Sequence, residues 1–234
     1  MSIPETIPPP DQTAASERSG CLSGFALPPL AVLLVSLVMG FVFLGGHTPG
    51  PPAVAAGSLS AAGAGPSQPT LAGLFTPQVQ FWADSIQAWS QQAGLDPNLV
   101  ATVMQIESCG NPLARSSAGA EGLFQVMPGH FLPTDHPTDP STNAQRGLAY
   151  LKRSLQAASG DARLALAGYN GGRSVIALSE SSWADETRRY AYWGSGIYAD
   201  AAQGSPASSR LQEWLAAGGA GMCRQAQRVL AGIP

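Results

Sequence analysis

Glu107 is the side chain whose type and position bear most directly on chemistry. Asp96-Pro97 reads as a helix start, an N-cap followed by proline at the first helical position. Val100, Val103, Met104 and Glu107 then recur at spacings that place them on one helical stripe. An acid therefore ends an otherwise apolar face, and the helix stops just beyond it at Cys109-Gly110-Asn111-Pro112. A carboxyl held partly out of water has its charged form disfavoured and its pKa raised, as a general acid near neutral pH requires. A helix-end glutamate facing solvent satisfies the same spacing, so the pattern alone leaves both readings open. His130, Asp135, His136 and Asp139 crowd within ten residues and invite a metal reading. Their spacing fits no His-x-x-x-His or zinc pattern, and Pro133, Pro137 and Pro140 mark the segment as loop. Exposed turn chemistry is expected there, with no metal. No histidine has a sequence-defined Ser or Cys partner for a triad.

Longer motifs bear on Glu107. Glu107-Ser108, then Ser116-Ser117-Ala118-Gly119-Ala120, then Gly122-Leu123-Phe124-Gln125-Val126-Met127-Pro128 resembles the core signature of the soluble lytic transglycosylase (SLT) family, lysozyme-like enzymes that cleave peptidoglycan. Asp139-Pro140 with Asn143, Gly147, Tyr150 and Leu151 looks like the family's next helix entry. Gly168-Tyr169-Asn170-Gly171-Gly172 stands where the family usually has Ala-Tyr-Asn-Ala-Gly, and Glu186-Thr187 with Tyr190 looks like its late Glu-Thr-x-x-Tyr element. The resemblance runs over roughly residues 76–200. It implies a mainly α, lysozyme-like (goose-type/transglycosylase) helical domain with Glu107 as the catalytic acid. It also implies substrate contacts from Ser116, whose family counterpart lies near the acid, and from Gln125, Tyr169, Asn170 and Tyr190. Phe124 departs from the methionine most often found in its element, a volume-tolerant exchange. Glu121 falls at a variable position and is read as solvated.

The elements that must position these groups follow from local signals. Thr76-Pro77 opens a helix along which Val79, Trp82, Ile86 and Trp89 recur at helical spacing until Gly94. The two tryptophans are read as a buried stripe rather than as sugar platforms. Small residues fill 111–122, as expected where backbone lies close to a ligand. Asn143 or Thr142 is expected to cap a helix through Leu148, Leu151 and Leu155, and Asp161 another that ends at Tyr169-Asn170-Gly171-Gly172. Tyr192 and Trp193 are assigned to core packing, with sugar stacking by one of them as the alternative. Leu211, Trp214 and Leu215, then Met222 to Leu230, continue the helical pattern.

Bulk composition narrows the partners. Charged residues make up 12% of 234 and the net charge is -3, so no basic field exists to hold nucleic acid. Residues 1–24 are polar and proline-punctuated and read as a disordered tail. Residues 25–44 are apolar and uncharged, and about 20 residues at about 1.5 Å each span a bilayer core of about 30 Å. A transmembrane helix anchoring the chain in the lipid bilayer is expected, followed by a Pro/Gly/Ala-rich flexible linker over 45–75. The catalytic domain is assigned to 76–204 and a C-terminal helical extension to 205–234. The alternative for the apolar segment is a secretory signal cleaved near Ala55. Single-pass insertion with the domain outside the cytoplasmic membrane follows from where the implied substrate lies. Cys21 precedes the apolar segment, whereas Cys109 and Cys223 follow it. In an oxidising compartment these two can form a disulfide; otherwise they are two small buried apolar side chains.

The resemblance implies a one-acid mechanism without cofactor or metal. Glu107 would protonate the β-1,4 glycosidic oxygen between N-acetylmuramic acid and N-acetylglucosamine in peptidoglycan glycan strands. The substrate's acetamido group would assist departure, and the muramoyl 6-hydroxyl would then close a 1,6-anhydro ring. A monomer is expected. A hydrolytic muramidase of the same fold and a non-catalytic glycan-binding scaffold of a cell-envelope apparatus are the alternatives.

Overall fold

The structure, a computed structural model, describes residues 70–233. The expected tail, the apolar span over 25–44 and Cys21 lie outside the described residues, as does most of the 45–75 linker. What is described is mainly α. The helices are α1 (Pro77–Gln80), α2 (Ala83–Ala93), α3 (Pro97–Glu107), α4 (Pro140–Ala157), α5 (Ala162–Gly171), α6 (Asp185–Ala202), α7 (Ser209–Trp214) and α8 (Ala220–Leu230). Among the described residues, strand-like pairing is confined to the bridges Arg115 with Glu121 and Glu121 with Val126. No helix among them is long and apolar enough to cross a membrane.

Helix α3 lies at the centre. Every residue from Pro97 to Ile106 is buried, because α1, α2 and α6 all pack against it. It starts where the sequence predicts, with the Asp96 carboxylate accepting from Asn98 N at 2.8 Å. Its last residue, Glu107, is the one that keeps part of its surface open. Beyond it the chain reverses through Cys109 and Gly110, at φ 51° and 79°. A Cβ on Gly110 would lie 2.6 Å from the Gln78 carbonyl oxygen, so only glycine admits this approach.

Four local expectations need correction. First, the folded body begins by Thr70 rather than Thr76. Leu74 and Phe75 are buried, and the Asn98 side chain holds Ala72 N at 2.8 Å and Thr70 O at 3.2 Å. Large apolar side chains at the end of a small-residue stretch draw it into the core. Second, the first helix is two pieces, α1 and α2, broken at Phe81-Trp82. The stripe reading survives the break: Trp82 is buried, stacks on Trp89 at 6.1 Å and donates its indole N–H to Gly110 O at 2.9 Å.

Third, Asp139 is the cap of α4, its carboxylate accepting from Thr142 N at 2.8 Å. Asn143 is instead fully buried. Its Oδ1 accepts from Phe124 N at 2.8 Å, and its Nδ2 donates to Glu121 O at 2.7 Å and Pro137 O at 2.8 Å. Fourth, Glu121 is half-buried and pairs with Arg115 at 2.6 Å rather than being solvated alone. Helix α5 does start at its expected cap, Asp161, which accepts from Leu164 N at 2.9 Å, and it lies between α4 and α6.

The C-terminal segment turns back through a kink at Gly218 (φ 126°) between α7 and α8. Leu211, Trp214, Cys223, Ala226 and Leu230 enter the core. Cys223 is bonded to Cys109 across 114 residues of sequence, with the Cα atoms 5.1 Å apart. This bond joins the residue two places after Glu107 to α8.

Candidate active site

Three parts of the chain converge on Glu107. The end of α3 supplies the carboxyl, the end of α5 supplies Tyr169 and Asn170, and one face of α6 supplies Glu186, Arg189, Tyr190 and Trp193. Together with Gln125 and Asn170, these α6 residues and Glu107 line a cavity of about 420 Å³. A second cavity of about 320 Å³ shares Gln125 and Asn170 with the first and continues along Met127, His130, Tyr150 and Tyr169. Joined through these two residues, the cavities form a groove with two carboxyl groups, Glu107 at the end of the buried helix α3 and Glu186 on α6.

The carboxyl group itself is enclosed. Burial pushes its pKa up to about 8, and the negative charge of Glu186 adds to the rise. Tyr190 opposes both by donating its hydroxyl to Glu107 Oε1 at 2.8 Å, a bond that favours the ionised form. At neutral pH the acid therefore carries its proton, with a donor in place to receive the charge once that proton leaves. Burial raises the Tyr169 and Tyr190 phenols well above their usual range, and the Glu107 charge adds to the rise, so both stay neutral donors.

The loop after α3 is held from several directions. Ser108 Oγ donates to Leu123 O at 2.7 Å and accepts from Gly110 N at 3.1 Å. Tyr169 donates to Phe124 O at 2.7 Å from the opposite side. Gly122 sits at φ 77°, where a Cβ would fall 2.3 Å from the Asn143 amide. Gln125 takes a left-handed backbone (φ 44°), a costly conformation for a side-chain-bearing residue, and donates its amide to Ala114 O at 3.2 Å and Gly122 O at 3.0 Å. Asn143 thus anchors Gln125 indirectly, through the neighbouring backbone.

The sequence candidates divide accordingly. Gln125, Asn170 and Tyr190 line the cavity with Glu107, and Tyr169 lines its continuation. Asn170 is oriented by Thr187, whose hydroxyl donates to Asn170 Oδ1 at 2.8 Å. Ser116 stands apart: its hydroxyl accepts from Ala120 N at 2.9 Å, closing a turn outside both cavities.

Trp193 packs against the core as expected and also lines the groove, half-buried, whereas Tyr192 is exposed, with Arg210 over its ring at 3.9 Å. The signal for Trp193 was present, since residues 186, 189, 190 and 193 follow helical spacing from the Glu-Thr-x-x-Tyr element. Ala217 and Met222 also line the cavity, and no local pattern marks them. His130 lines the continuation and packs on Tyr150 at 4.9 Å. Asp135 is held by Arg146 through bonds of 2.6 and 2.9 Å, and no cluster able to hold a metal occurs among the described residues.

An enclosed carboxyl with a raised pKa, on a groove lined by amides, phenols and an indole, is suited to general-acid chemistry. The family model of the transglycosylase SLT domain matches residues 84–191. The chain is similar to the transglycosylase of Enterobacteria phage PRD1, 40% identical over 111 residues, 47% of this chain and 40% of that protein. It is also similar to the membrane-bound lytic murein transglycosylase C of Haemophilus influenzae, 35% identical over 79 residues, 28% of this chain and 22% of that protein. The matches therefore span less than half the length of either relative. A solved structure of an inactive mutant of the lytic transglycosylase Slt from Pseudomonas aeruginosa aligns with a TM-score of 0.44 at 24% identity. That alignment covers 52% of this chain and 24% of that one.

Proposed function

We propose that this protein is a lytic transglycosylase acting on the glycan strands of peptidoglycan, with Glu107 serving first as acid and then as base. The observation that carries the reading is the enclosed Glu107 carboxyl, with its pKa near 8 and its hydrogen bond from Tyr190. Glu107 donates its proton to the glycosidic oxygen joining N-acetylmuramic acid to N-acetylglucosamine, while the substrate's acetamido oxygen assists at the anomeric carbon. Tyr190 then stabilises the carboxylate. That carboxylate takes the proton of the muramoyl 6-hydroxyl as its oxygen bonds to the anomeric carbon, closing a 1,6-anhydro ring without consuming water. Holding the hydroxyl against the reacting carbon supplies the entropic part of the acceleration. Gln125, Asn170 and Tyr169, which line the cavity and its continuation, would hold the sugars, while Ser116 supports a turn outside both cavities.

The second reading is a hydrolytic muramidase, and the Glu186 carboxylate in the same cavity favours it, because a second acid could activate water. Digestion of purified sacculi followed by mass spectrometry separates the two. Anhydro-muramoyl ends, lighter by one water, support the transglycosylase; reducing ends support the muramidase. Glycan binding by the wild type without any cleavage would leave a scaffold. Full activity in Glu107→Gln would remove Glu107 as the acid.

The uncharged apolar segment 25–44 and the small-residue stretch after it support a membrane-tethered arrangement with the catalytic domain extracytoplasmic. In this arrangement the segments assigned from the sequence act as tail, anchor, linker, catalytic domain and extension. Membrane fractionation tests the tether: recovery of a shortened, soluble protein starting near residue 56 would instead indicate signal cleavage.

A further inference from the structure

A third hollow of about 330 Å³ adjoins the Glu107 cavity and shares Arg189 and Trp193 with it. Its remaining lining is Arg163, Arg188, Glu180 and Tyr192. Three of the twelve basic residues of an acidic chain therefore gather around one small cavity beside the catalytic groove. Two of the three are already paired. Arg163 bonds to Glu180, and Arg188 bonds to Asp185 and to the Trp183 carbonyl. Arg189 has no acidic partner among the described residues, and it stands on the wall common to both cavities.

An unpaired guanidinium beside a glycan groove has a specific chemical use. Its planar fork matches a carboxylate and does little for a neutral sugar hydroxyl. In the strand proposed as substrate, N-acetylglucosamine carries no acid, whereas each muramoyl unit carries a lactyl group that ends in a carboxylate or in a peptide bearing carboxylates. We infer that the hollow between α5 and α6 is a carboxylate-binding subsite, with Arg189 taking the acidic substituent of the muramoyl unit beside the scissile bond. The inference rests on the glycan-cleaving reading above and deepens it. It also supplies a register device. Sugars alternate along the strand, so a slip by one residue places N-acetylglucosamine at the subsite and leaves Arg189 without its acid. The muramoyl unit would thereby be held on one particular side of Glu107, which is what restricts cleavage to one of the two alternating bonds. Its volume lies at the lower end of the range for small-ligand sites, enough for a substituent rather than a second strand.

The test measures binding by calorimetry in full-length Glu107→Gln protein, which keeps the ligand intact. Two ligands are compared: a tetrasaccharide muropeptide with its stems, and chitotetraose, which has no carboxylate. Adding Arg189→Gln is expected to lower the ratio of muropeptide to chitotetraose affinity about tenfold, the size of one charge-assisted hydrogen bond. Arg189→Lys should recover part of that ratio, because it keeps the charge and loses the fork. A ratio unchanged within about twofold in Arg189→Gln overturns the subsite while leaving the catalytic reading intact. Failure to bind either ligand before Arg189 is touched overturns the glycan-groove reading and the subsite with it. Amidase-stripped strands, which retain only the lactyl carboxylate, identify the source of the acid. A persisting Arg189 effect assigns it to the lactyl group, and an effect seen only with stems assigns it to the peptide.

Discussion

Replacing Glu107 with glutamine should abolish activity and at the same time make the fold more stable, increasingly so as the pH rises. The folded-state pKa is about 8, against 4.5 for an exposed glutamate. Between those two values the folded protein binds a proton that the unfolded chain has released, so this group makes stability fall with rising pH. The contribution is most favourable to the fold below the unfolded pKa and is fully lost once the pH passes the folded one. At about 1.4 kcal/mol per pKa unit, the penalty is under about 1 kcal/mol at pH 5 and about 3 kcal/mol at pH 7. Glutamine is nearly isosteric, can accept from Tyr190 and carries no titratable proton. Urea unfolding of wild type and Glu107→Gln, disulfide intact, at pH 5 and pH 7 reads the difference directly. The variant should gain about 2 kcal/mol more at pH 7 than at pH 5. A pH-independent difference, or a loss of stability at both pH values, would show that the carboxyl is solvated in the native state and that burial does not keep it protonated.

The same enclosure sets the pH profile of the reaction, with kcat/KM on sacculi falling as the pH rises through about 8. Tyr190→Phe removes a bond that favours the ionised form, so it should shift that alkaline limb upward and slow the reaction about tenfold; an unmoved limb would dismiss the hydrogen bond. Asn143→Ala leaves Phe124 N, Glu121 O and Pro137 O without their partner and should cost about 3 kcal/mol in urea unfolding, whereas a cost below about 1 would mean that water replaces the amide. Removing the Cys109–Cys223 bond frees a loop of 114 residues and should cost about 5 kcal/mol on the chain-entropy account. It should also lower activity at temperatures where the fold persists, since Met222 of the groove wall adjoins Cys223.

Much of the helical framework was legible in the chain because its signals are local. A cap and the proline after it act within one turn, so Asp96-Pro97 places the start of α3, and Asp161 likewise starts α5. Periodicity put Val79, Trp82 and Ile86 on a buried stripe and Glu107 at the end of another. Where two local signals competed, the nearer one misled. Asn143 looked like a cap, yet a fully buried amide bound to three backbone groups from other segments has no short-range signature. Ser116 matched its motif position, but its hydroxyl is occupied by Ala120 N.

The residue types along the chain already marked Glu107 as an acid at the end of an apolar stripe, since helix period and termination are decided by neighbours a few positions away. Whether that acid is wetted or enclosed is a different kind of quantity. It depends on Tyr190, 83 residues further on, on a loop pinned by Asn143, and on Met222 beside a disulfide to Cys109. Desolvation and charge coupling add over everything that surrounds a group in space, so only the folded arrangement raises the pKa of Glu107 and brings Arg189 to the wall beside it.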